Sequence, residues 1–201
     1  MTAKHQPVLI LVGGFPGTGK TTIGQKLAKT LGVGWVDKDS ATRLMAEHLL
    51  LAMGCGKNDR ESATYTRYVK PLEYDTLISI ARDNLNIGQS VICTAPFISQ
   101  FHDQEWIDRM QQLVDLYAAK LSLIWLTADT EVTHSRIVQR NADRDAWKIG
   151  CWPEYMVGLP EKTPSDHRIW SVDNTSCNGV DVVVMAIIRL LGSPTLKEET
   201  E

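Results

Sequence analysis

The sequence predicts an α/β domain whose parallel sheet is covered by helices on both faces. Apolar segments of strand length alternate along the chain with segments in which apolar residues recur at helical spacing. A glycine-rich loop lies between the first predicted strand and the first predicted helix, at residues 14–21. Because parallel neighbours need a crossover connection, usually a helix, this alternation favours a parallel sheet.

The N-terminal half of the chain contains three predicted strands. Residues 8–12 are continuously apolar, as expected of a strand that is buried on both faces. In the helix that follows, Ile23 and Leu27 share one face. Gly88 predicts the end of a later helix, and Pro96 the end of the third strand. The predicted strands are 8–12, 32–37 and 90–95, and the predicted helices are 22–31, 40–53 and 72–86.

The C-terminal half continues the alternation. Trp106, Met110 and Leu113 give one helix an apolar face. Residues 147–164 show no regular pattern and are expected to form a loop, whereas Gly192 predicts the end of the last helix. The predicted strands are 121–126 and 168–172, and the predicted helices are 104–118, 130–141 and 178–191.

Composition and charge are those of an ordinary soluble globular protein, with 43% hydrophobic and 22% charged residues. The net charge of -3 argues against a nucleic-acid polymer or an anionic membrane as partner. No uncharged apolar run is long enough to cross a bilayer, and residues 1–7 lack the apolar stretch of a signal peptide, so a cytoplasmic location is expected. The four cysteines form no C-x-x-C pair, which argues against a zinc site or a disulfide framework.

The loop at residues 14–21 matches G-x-x-x-x-G-K-[ST] at every fixed position. In this pattern the glycines let successive N–H groups point at phosphate oxygens, and the helix adds the positive end of its dipole. Lys20 is expected to reach the β- and γ-phosphates, and the Thr21 hydroxyl to bind Mg²⁺. A chance glycine turn is the alternative. The predicted nucleotide-binding residues of the loop are Gly14, Pro16, Gly17, Thr18, Gly19, Lys20, Thr21 and Thr22.

Two carboxylates follow the second predicted strand. Asp37 and Asp39 are two residues apart, so in an extended segment their side chains point the same way. We expect Asp37 to hold Mg²⁺ and Asp39 to accept the proton of an attacking hydroxyl, as phosphoryl transfer requires. The alternative is that Asp39 only caps the helix that follows.

Three arginines recur at every fourth residue near the end of a predicted helix. Arg136, Arg140 and Arg144 therefore share a face as far as the helix extends. On a mobile flap, their guanidinium groups could close over phosphates and neutralise the charge that develops during transfer. The alternative is a solvated basic face.

For several further residues, the sequence is compatible with either a functional role or a packing role. Asp129 follows the fourth predicted strand, where it either contacts a metal or caps the next helix. A set of aromatic residues either lines an acceptor pocket or packs on the surface and the flap. This set contains Tyr65, Tyr68, Trp147, Trp152 and Tyr155.

Taken together, the loop, the Asp37-x-Asp39 pair and the arginine run ending in Arg144-Asp145 resemble the small P-loop kinases. Shikimate kinase, gluconate kinase, adenylate kinase and chloramphenicol phosphotransferase-like proteins share this layout. The resemblance covers about residues 7–192. It implies a P-loop NTPase fold with a five-stranded parallel sheet in the order 2-3-1-4-5 and a helical lid.

The resemblance also implies a division of the chain and roles for single residues. One domain is expected over residues 1–201, with an acceptor-side segment at about 54–88, a lid at about 140–164 and a frayed tail at 193–201. Arg136 is expected near the adenine, Arg140 or Arg144 near the phosphates, and Asn174 near the base. Many relatives carry aspartate where this chain has Thr94, which leaves the second metal carboxylate open. The chain has no glycine-rich acceptor loop of the shikimate kinase kind, which argues against shikimate.

The expected activity is transfer of the γ-phosphate of ATP, with Mg²⁺, to a hydroxyl of a small molecule. An antibiotic, a sugar acid, and a nucleoside or nucleotide are the candidate acceptors, and a homodimer is left open. The alternative is a nucleotide-binding NTPase that acts as a switch or regulator. A GTPase is disfavoured because no D-x-x-G followed by N-K-x-D occurs. Loss of catalysis is disfavoured because Lys20, Thr21 and Asp37 are intact.

Overall fold

The fold is built on one parallel sheet. The computed structural model describes residues 6–142, 145–158, 163–175 and 179–192, and in this part of the chain five strands lie in the order β2-β3-β1-β4-β5. Every pair of neighbouring strands is parallel. The order 2-3-1-4-5 is therefore confirmed. The strands are β1 (Val8–Gly14), β2 (Gly34–Asp37), β3 (Val91–Thr94), β4 (Lys120–Thr127) and β5 (Ile169–Asp173).

Helices connect the strands, as parallel pairing requires. Among the described helices none is both long and apolar enough to cross a membrane. A π-helical turn, Tyr65–Val69, leads directly into the third α-helix. The α-helices are α1 (Lys20–Leu31), α2 (Lys38–Ala52), α3 (Lys70–Asn86), α4 (Ile98–Phe101), α5 (Gln104–Asp115), α6 (Thr130–Arg140), α7 (Ala146–Gly150), α8 (Trp152–Val157) and α9 (Val180–Leu190).

The central strand β1 contributes to a hydrophobic core on each face of the sheet. Leu9 and Leu11 pack in one core with residues of α3, α4 and α5. Ile10 and Val12 pack in the other core with residues of α1 and α9. Since successive side chains of a strand point to opposite faces, a continuously apolar β1 is what a sheet covered on both sides requires.

The junction between β2 and α2 differs from the sequence-based expectation. The strand ends at Asp37 and the helix begins at Lys38, so Asp39 lies in the first helical turn and not in an extended segment. The cause is a capping bond, in which the Ser40 N–H donates to Asp37 Oδ1 at 3.1 Å. The alternative that Asp39 only caps this helix is also wrong, because Asp37 is the cap.

The segment expected to form a loop at residues 147–164 begins with helices. Residues 146–150 form α7 and residues 152–157 form α8, and Pro153 lies in the first turn of α8, where a proline is well tolerated. Helices this short contain too few residues to show a periodic pattern. Most of the described residues of the expected lid are therefore helical, whereas residues 143–144, 159–162 and the expected frayed tail at 193–201 lie outside the described residues.

Gly24 lies where α1 packs closely on the sheet. A Cβ at this position would lie 2.4 Å from Thr94 Cγ2 and 2.8 Å from Trp35 Nε1. Alanine is favoured over glycine in a helix interior by about 1 kcal/mol. We nevertheless expect Gly24→Ala to lower the free energy of unfolding by about 1–3 kcal/mol, because α1 must move outward.

Urea unfolding followed by circular dichroism measures this change. The matched control is Gly150→Ala in α7, where no described atom lies within 4 Å of the added Cβ. The control is expected to be as stable as the wild type or slightly more stable. A Gly24→Ala variant with the stability of this control would contradict the close approach of α1 to the sheet.

Candidate active site

The loop between β1 and α1 is curled so tightly that it requires glycine. Gly14, Gly17 and Gly19 have φ angles of 144°, 83° and 90°, which side chains disfavour. A Cβ on Gly14 would lie 2.5 Å from the Leu126 carbonyl oxygen, and one on Gly19 would lie 2.5 Å from Asn174 Nδ2. The backbone of the loop is thus packed directly against β4 and against the end of β5.

Lys20 folds back over this loop from the first position of α1. Its Nζ donates to the Phe15 carbonyl oxygen at 2.8 Å. The same oxygen accepts from Thr18 Oγ1, also at 2.8 Å. The ammonium group is thereby held at the loop, where the oxygens of a bound phosphate could replace the carbonyl as its partner.

A cavity of about 1340 Å³ opens at the carboxyl ends of the strands. The loop, the start of α2, the acceptor-side segment, α6 and the lid helices all contribute to its wall. Gly14 and Thr18 are buried and do not belong to the lining. The other loop residues predicted to bind nucleotide do line it, and they are Pro16, Gly17, Gly19, Lys20, Thr21 and Thr22.

Oxygen atoms from three elements meet at the position expected for Mg²⁺. Thr21 Oγ1 donates to Asp37 Oδ2 at 3.4 Å, and Thr94 Oγ1 donates to the same oxygen at 2.8 Å. Trp35 Nε1 in turn donates to Thr94 Oγ1 at 3.2 Å. A hydroxyl and a carboxylate beside a phosphate loop fit Mg²⁺, which binds few protein ligands and completes its shell with water and phosphate. Thr94 orients the carboxylate of Asp37 and supplies no second one.

Asp39 projects into the same cavity from the first turn of α2. Its Oδ1 lies 3.2 Å from Lys38 Nζ, and its side chain is 35% exposed. Asp37 and Asp39 therefore do reach one cavity, although not as alternate residues of a strand. They reach it because α2 begins at the edge of the sheet where the P-loop lies.

Arg136 and Asn174 form hydrogen bonds to the backbone of the loop and to each other. Asn174 Nδ2 donates to the Thr18 carbonyl oxygen at 2.8 Å. Arg136 Nη2 donates to the Asn174 carbonyl oxygen at 3.0 Å, and Nη1 donates to that of Gly17 at 3.5 Å. Both residues line the cavity. The structure thus brings together, at the loop, the two residues that were predicted to lie near the nucleotide base.

Arg140 lines the cavity and is ion-paired. Its Nη2 and Nε donate to Asp145 Oδ2 at 2.6 Å and 2.9 Å. The Asp145 side chain is only 2% exposed. In this state the guanidinium group is held at the base of the lid by a buried carboxylate. Arg144, the third predicted arginine, lies outside the described residues.

The aromatic residues of the lid divide between the two roles that the sequence left open. Trp152 packs on His134 of α6, with ring centroids 4.5 Å apart. Trp147 and Tyr155 line the cavity and contact each other edge to face at 6.3 Å. Burial, together with the nearby charge of Glu61, raises the pKa of Tyr155. Trp152 therefore anchors the lid helices, whereas Trp147 and Tyr155 form part of the cavity wall.

The cavity wall formed by the expected acceptor-side segment rests on a buried carboxylate, Glu73, which sequence reasoning missed. Its Oε1 accepts from Arg60 Nη1 at 2.7 Å and from Thr42 Oγ1 at 3.0 Å. Its Oε2 accepts from the Tyr65 hydroxyl at 2.6 Å and lies 3.1 Å from Lys38 Nζ. Burial by itself raises the pKa of Glu73, but Lys38, Tyr65 and Arg60 together outweigh burial and hold this pKa below its usual value.

A signal for Glu73 was present in the sequence. Glu73, Leu77, Ala81 and Leu85 follow one another at intervals of four residues, so the carboxylate lies on the apolar stripe of α3. A charged residue at such a position must find partners inside the protein, because burying an unpaired charge is costly. The identity of those partners was not visible in the sequence.

Tyr68 and Asp129, for which the sequence left a functional role open, lie away from the cavity. Tyr68 is half-exposed, and Arg67 lies over its ring at 5.4 Å, so this pair belongs to the surface. Asp129 occupies the N-cap position of α6, but its side chain makes no capping hydrogen bond. Its backbone N–H donates to Thr175 Oγ1 at 2.9 Å. Neither Tyr68 nor Asp129 is among the described residues that line the cavity.

Comparison of the sequence with known families gives a match that covers most of the chain. A family model described as AAA domain matches residues 9–148, which is more than half of the sequence. Shikimate kinase from Mycobacterium avium is 57% identical over 35 residues. This match covers only 17% of this chain and 19% of the shikimate kinase, so it assigns no acceptor.

Solved structures share the whole fold. A candidate kinase from Chloroflexus aurantiacus is 26% identical, with a TM-score of 0.62 over 92% of this chain and 98% of that one. The APS kinase CysC from Mycobacterium tuberculosis, solved with AMPPNP and APS, is 14% identical, with a TM-score of 0.58 over 94% of this chain and 99% of that one. The chain belongs to the AAA domain family and has the fold of the small P-loop kinases.

Proposed function

We propose that the protein is an ATP-dependent phosphotransferase that moves the γ-phosphate of ATP to a hydroxyl of a small molecule. The observation that carries this proposal is that the phosphate loop and the carboxylate of Asp39 line one cavity. Its volume of about 1340 Å³ exceeds the range of about 300–1,000 Å³ usual for a single small ligand. The cavity therefore has room for a nucleotide and an acceptor side by side.

Each side of the cavity has its own task in this reaction. The loop N–H groups and Lys20 bind the triphosphate, and Arg136 and Asn174 lie beside them on the side assigned to the base. Thr21 and Asp37 would hold Mg²⁺, which neutralises charge on the phosphates when it is bound. Arg140 and Arg144 of the lid are assigned to the phosphates. The bound AMPPNP of the structurally similar APS kinase supports ATP as donor.

Asp39 is assigned the role of proton acceptor. The acceptor oxygen forms a bond to the γ-phosphorus, and the bond from this phosphorus to the β,γ-bridging oxygen breaks. ADP leaves, and the proton of the acceptor hydroxyl passes to the Asp39 carboxylate. The lid helices keep water from competing with the acceptor. An antibiotic, a sugar acid, and a nucleoside or nucleotide are the acceptor classes to be tested.

A panel of hydroxyl compounds tests the proposal directly. Purified protein is incubated with Mg²⁺-ATP and with chloramphenicol, gluconate, shikimate, adenosine or AMP, and ADP formation is followed. We expect one class to accelerate ADP formation and to yield a product heavier by one phosphoryl group in mass spectrometry. ADP formation that no compound accelerates would favour an NTPase switch instead.

Lys20→Ala is expected to lower turnover by about 100-fold or more, because a preorganised cation at the transferring phosphate is lost. The fold should persist, since Lys20 lies at the cavity and its bond to the Phe15 carbonyl is replaceable by water. Steady-state kinetics and circular dichroism measure the two properties. Lys29→Ala, in an exposed position of the same helix, is the control and should retain full activity. Unfolding of Lys20→Ala would reveal a structural role for the lysine.

Asp39→Asn is expected to abolish transfer to the acceptor while ATP still binds. Removal of a general base costs about 10²–10⁴-fold in rate, whereas the loop that binds the triphosphate is unchanged. Single-turnover kinetics and calorimetry with ATP separate the two steps. Asp83→Asn, in an exposed position on α3, serves as the matched control. Full activity of Asp39→Asn would rule out the assigned proton acceptor.

A further inference from the structure

Glu73 connects three segments of the chain behind the acceptor side of the cavity. Glu73 is on α3, its partners Lys38 and Thr42 are on α2, and Arg60 and Tyr65 lie in the connection between these two helices. The Glu73 side chain is 2% exposed, and it is not among the described residues that line the cavity. It cannot touch an acceptor in this arrangement and acts only through the groups that it binds.

One of these groups, Lys38, also contacts Asp39, the proposed proton acceptor. Lys38 Nζ lies 3.1 Å from Glu73 Oε2 and 3.2 Å from Asp39 Oδ1. The Lys38 side chain is only 5% exposed, so it has little freedom to change position. The ammonium group is shared between a buried carboxylate and a carboxylate that faces the cavity. The position of Asp39 therefore depends on where Glu73 holds Lys38.

Two other partners of Glu73 form part of the cavity wall beside which an acceptor would lie. Arg60 and Tyr65 both line the cavity, and the Arg60 guanidinium lies over the Tyr65 ring at 5.1 Å. Both donate to Glu73, one to each carboxylate oxygen. The same carboxylate thus sets the positions of Asp39, through Lys38, and of the nearby cavity wall.

Stability alone is a weak explanation for such a network. Buried ion pairs incur a desolvation penalty, and apolar residues of similar volume often stabilise a fold equally well or better. Charged hydrogen bonds, however, have a defined length and direction that apolar packing lacks. A network of charged hydrogen bonds behind the cavity wall therefore specifies the positions of the side chains that it connects.

We propose that Glu73 is a positioning residue for phosphoryl transfer, which holds the Asp39 carboxylate in place through Lys38 and the acceptor wall through Arg60 and Tyr65. This inference rests on the proposed function. Glu73 itself exchanges no proton with the substrate. A misplacement of reacting groups by 1 Å can cost about 100-fold in rate, so loss of this anchor should be visible in catalysis.

A double-mutant cycle tests the inference. Glu73→Gln keeps the size of the side chain and removes its charge. With the panel compound that the wild type phosphorylates fastest, we expect kcat to fall by about 10- to 100-fold and the acceptor KM to rise. ATP affinity should be unchanged, because the loop is not involved. In the Asp39→Asn background, Glu73→Gln should lower kcat no further, since its effect on kcat passes through Asp39, whereas the loosened wall at Arg60 and Tyr65 should still raise the acceptor KM.

The control is Glu105→Gln, an exposed position at the start of α5, which should leave every parameter unchanged. Thr42→Val removes one donor to Glu73 with little change in shape, at a position that does not line the cavity, and it replaces Glu73→Gln in the cycle if that variant fails to fold. The positioning role would be overturned if the effects of Glu73→Gln and Asp39→Asn on kcat multiplied in the double variant, or if Glu73→Gln had the kcat of the wild type. Either result would leave the proposed function intact. A wild type that phosphorylates none of the panel would overturn the proposed function as well.

Discussion

The curled backbone between β1 and α1 is the constraint on which the rest of the structure depends. Three glycines of this loop have positive φ angles. A Cβ added to any of them would lie within 2.6 Å of an atom in β4, in α6 or in the residue after β5. Such close approach is possible only if these elements pack directly on the loop. The same contacts that allow N–H groups to converge on a phosphate therefore also position α6, which leads into the lid.

The two sides of the cavity use different chemistry. On the side of the loop, the groups that face a ligand are backbone N–H groups, a lysine and the oxygens around Asp37. On the side proposed for the acceptor, charged side chains are bound to one another through a buried carboxylate. Backbone groups suit a phosphate chain, which is common to every nucleoside triphosphate. A network of side chains can differ between proteins without disturbing the loop.

The relationship to known proteins covers both sides of the cavity. The family match begins in β1 and includes the loop, the carboxylates Asp37 and Asp39, and all three arginines of the run at residues 136–144. The fold is shared with proteins that have only 14–26% identity to this chain. Glu73, Arg60 and Tyr65 all lie in the segment at about residues 54–88, which is also inside the match. A common fold is compatible with different acceptors when the acceptor is held by such a segment.

The sequence by itself determined the alternation of strands and helices, the nucleotide loop and the residues that follow each strand, because these depend on local periodicity and on a motif of fixed spacing. The sheet order required the resemblance to a family. Only the tertiary structure decided that Asp37 caps α2, that Arg140 pairs with Asp145, and that Glu73 joins Lys38 to Arg60. The bonds of Glu73 join residues up to 35 positions apart. Pairing of this kind depends on how separate segments pack, and no local pattern in the chain records it.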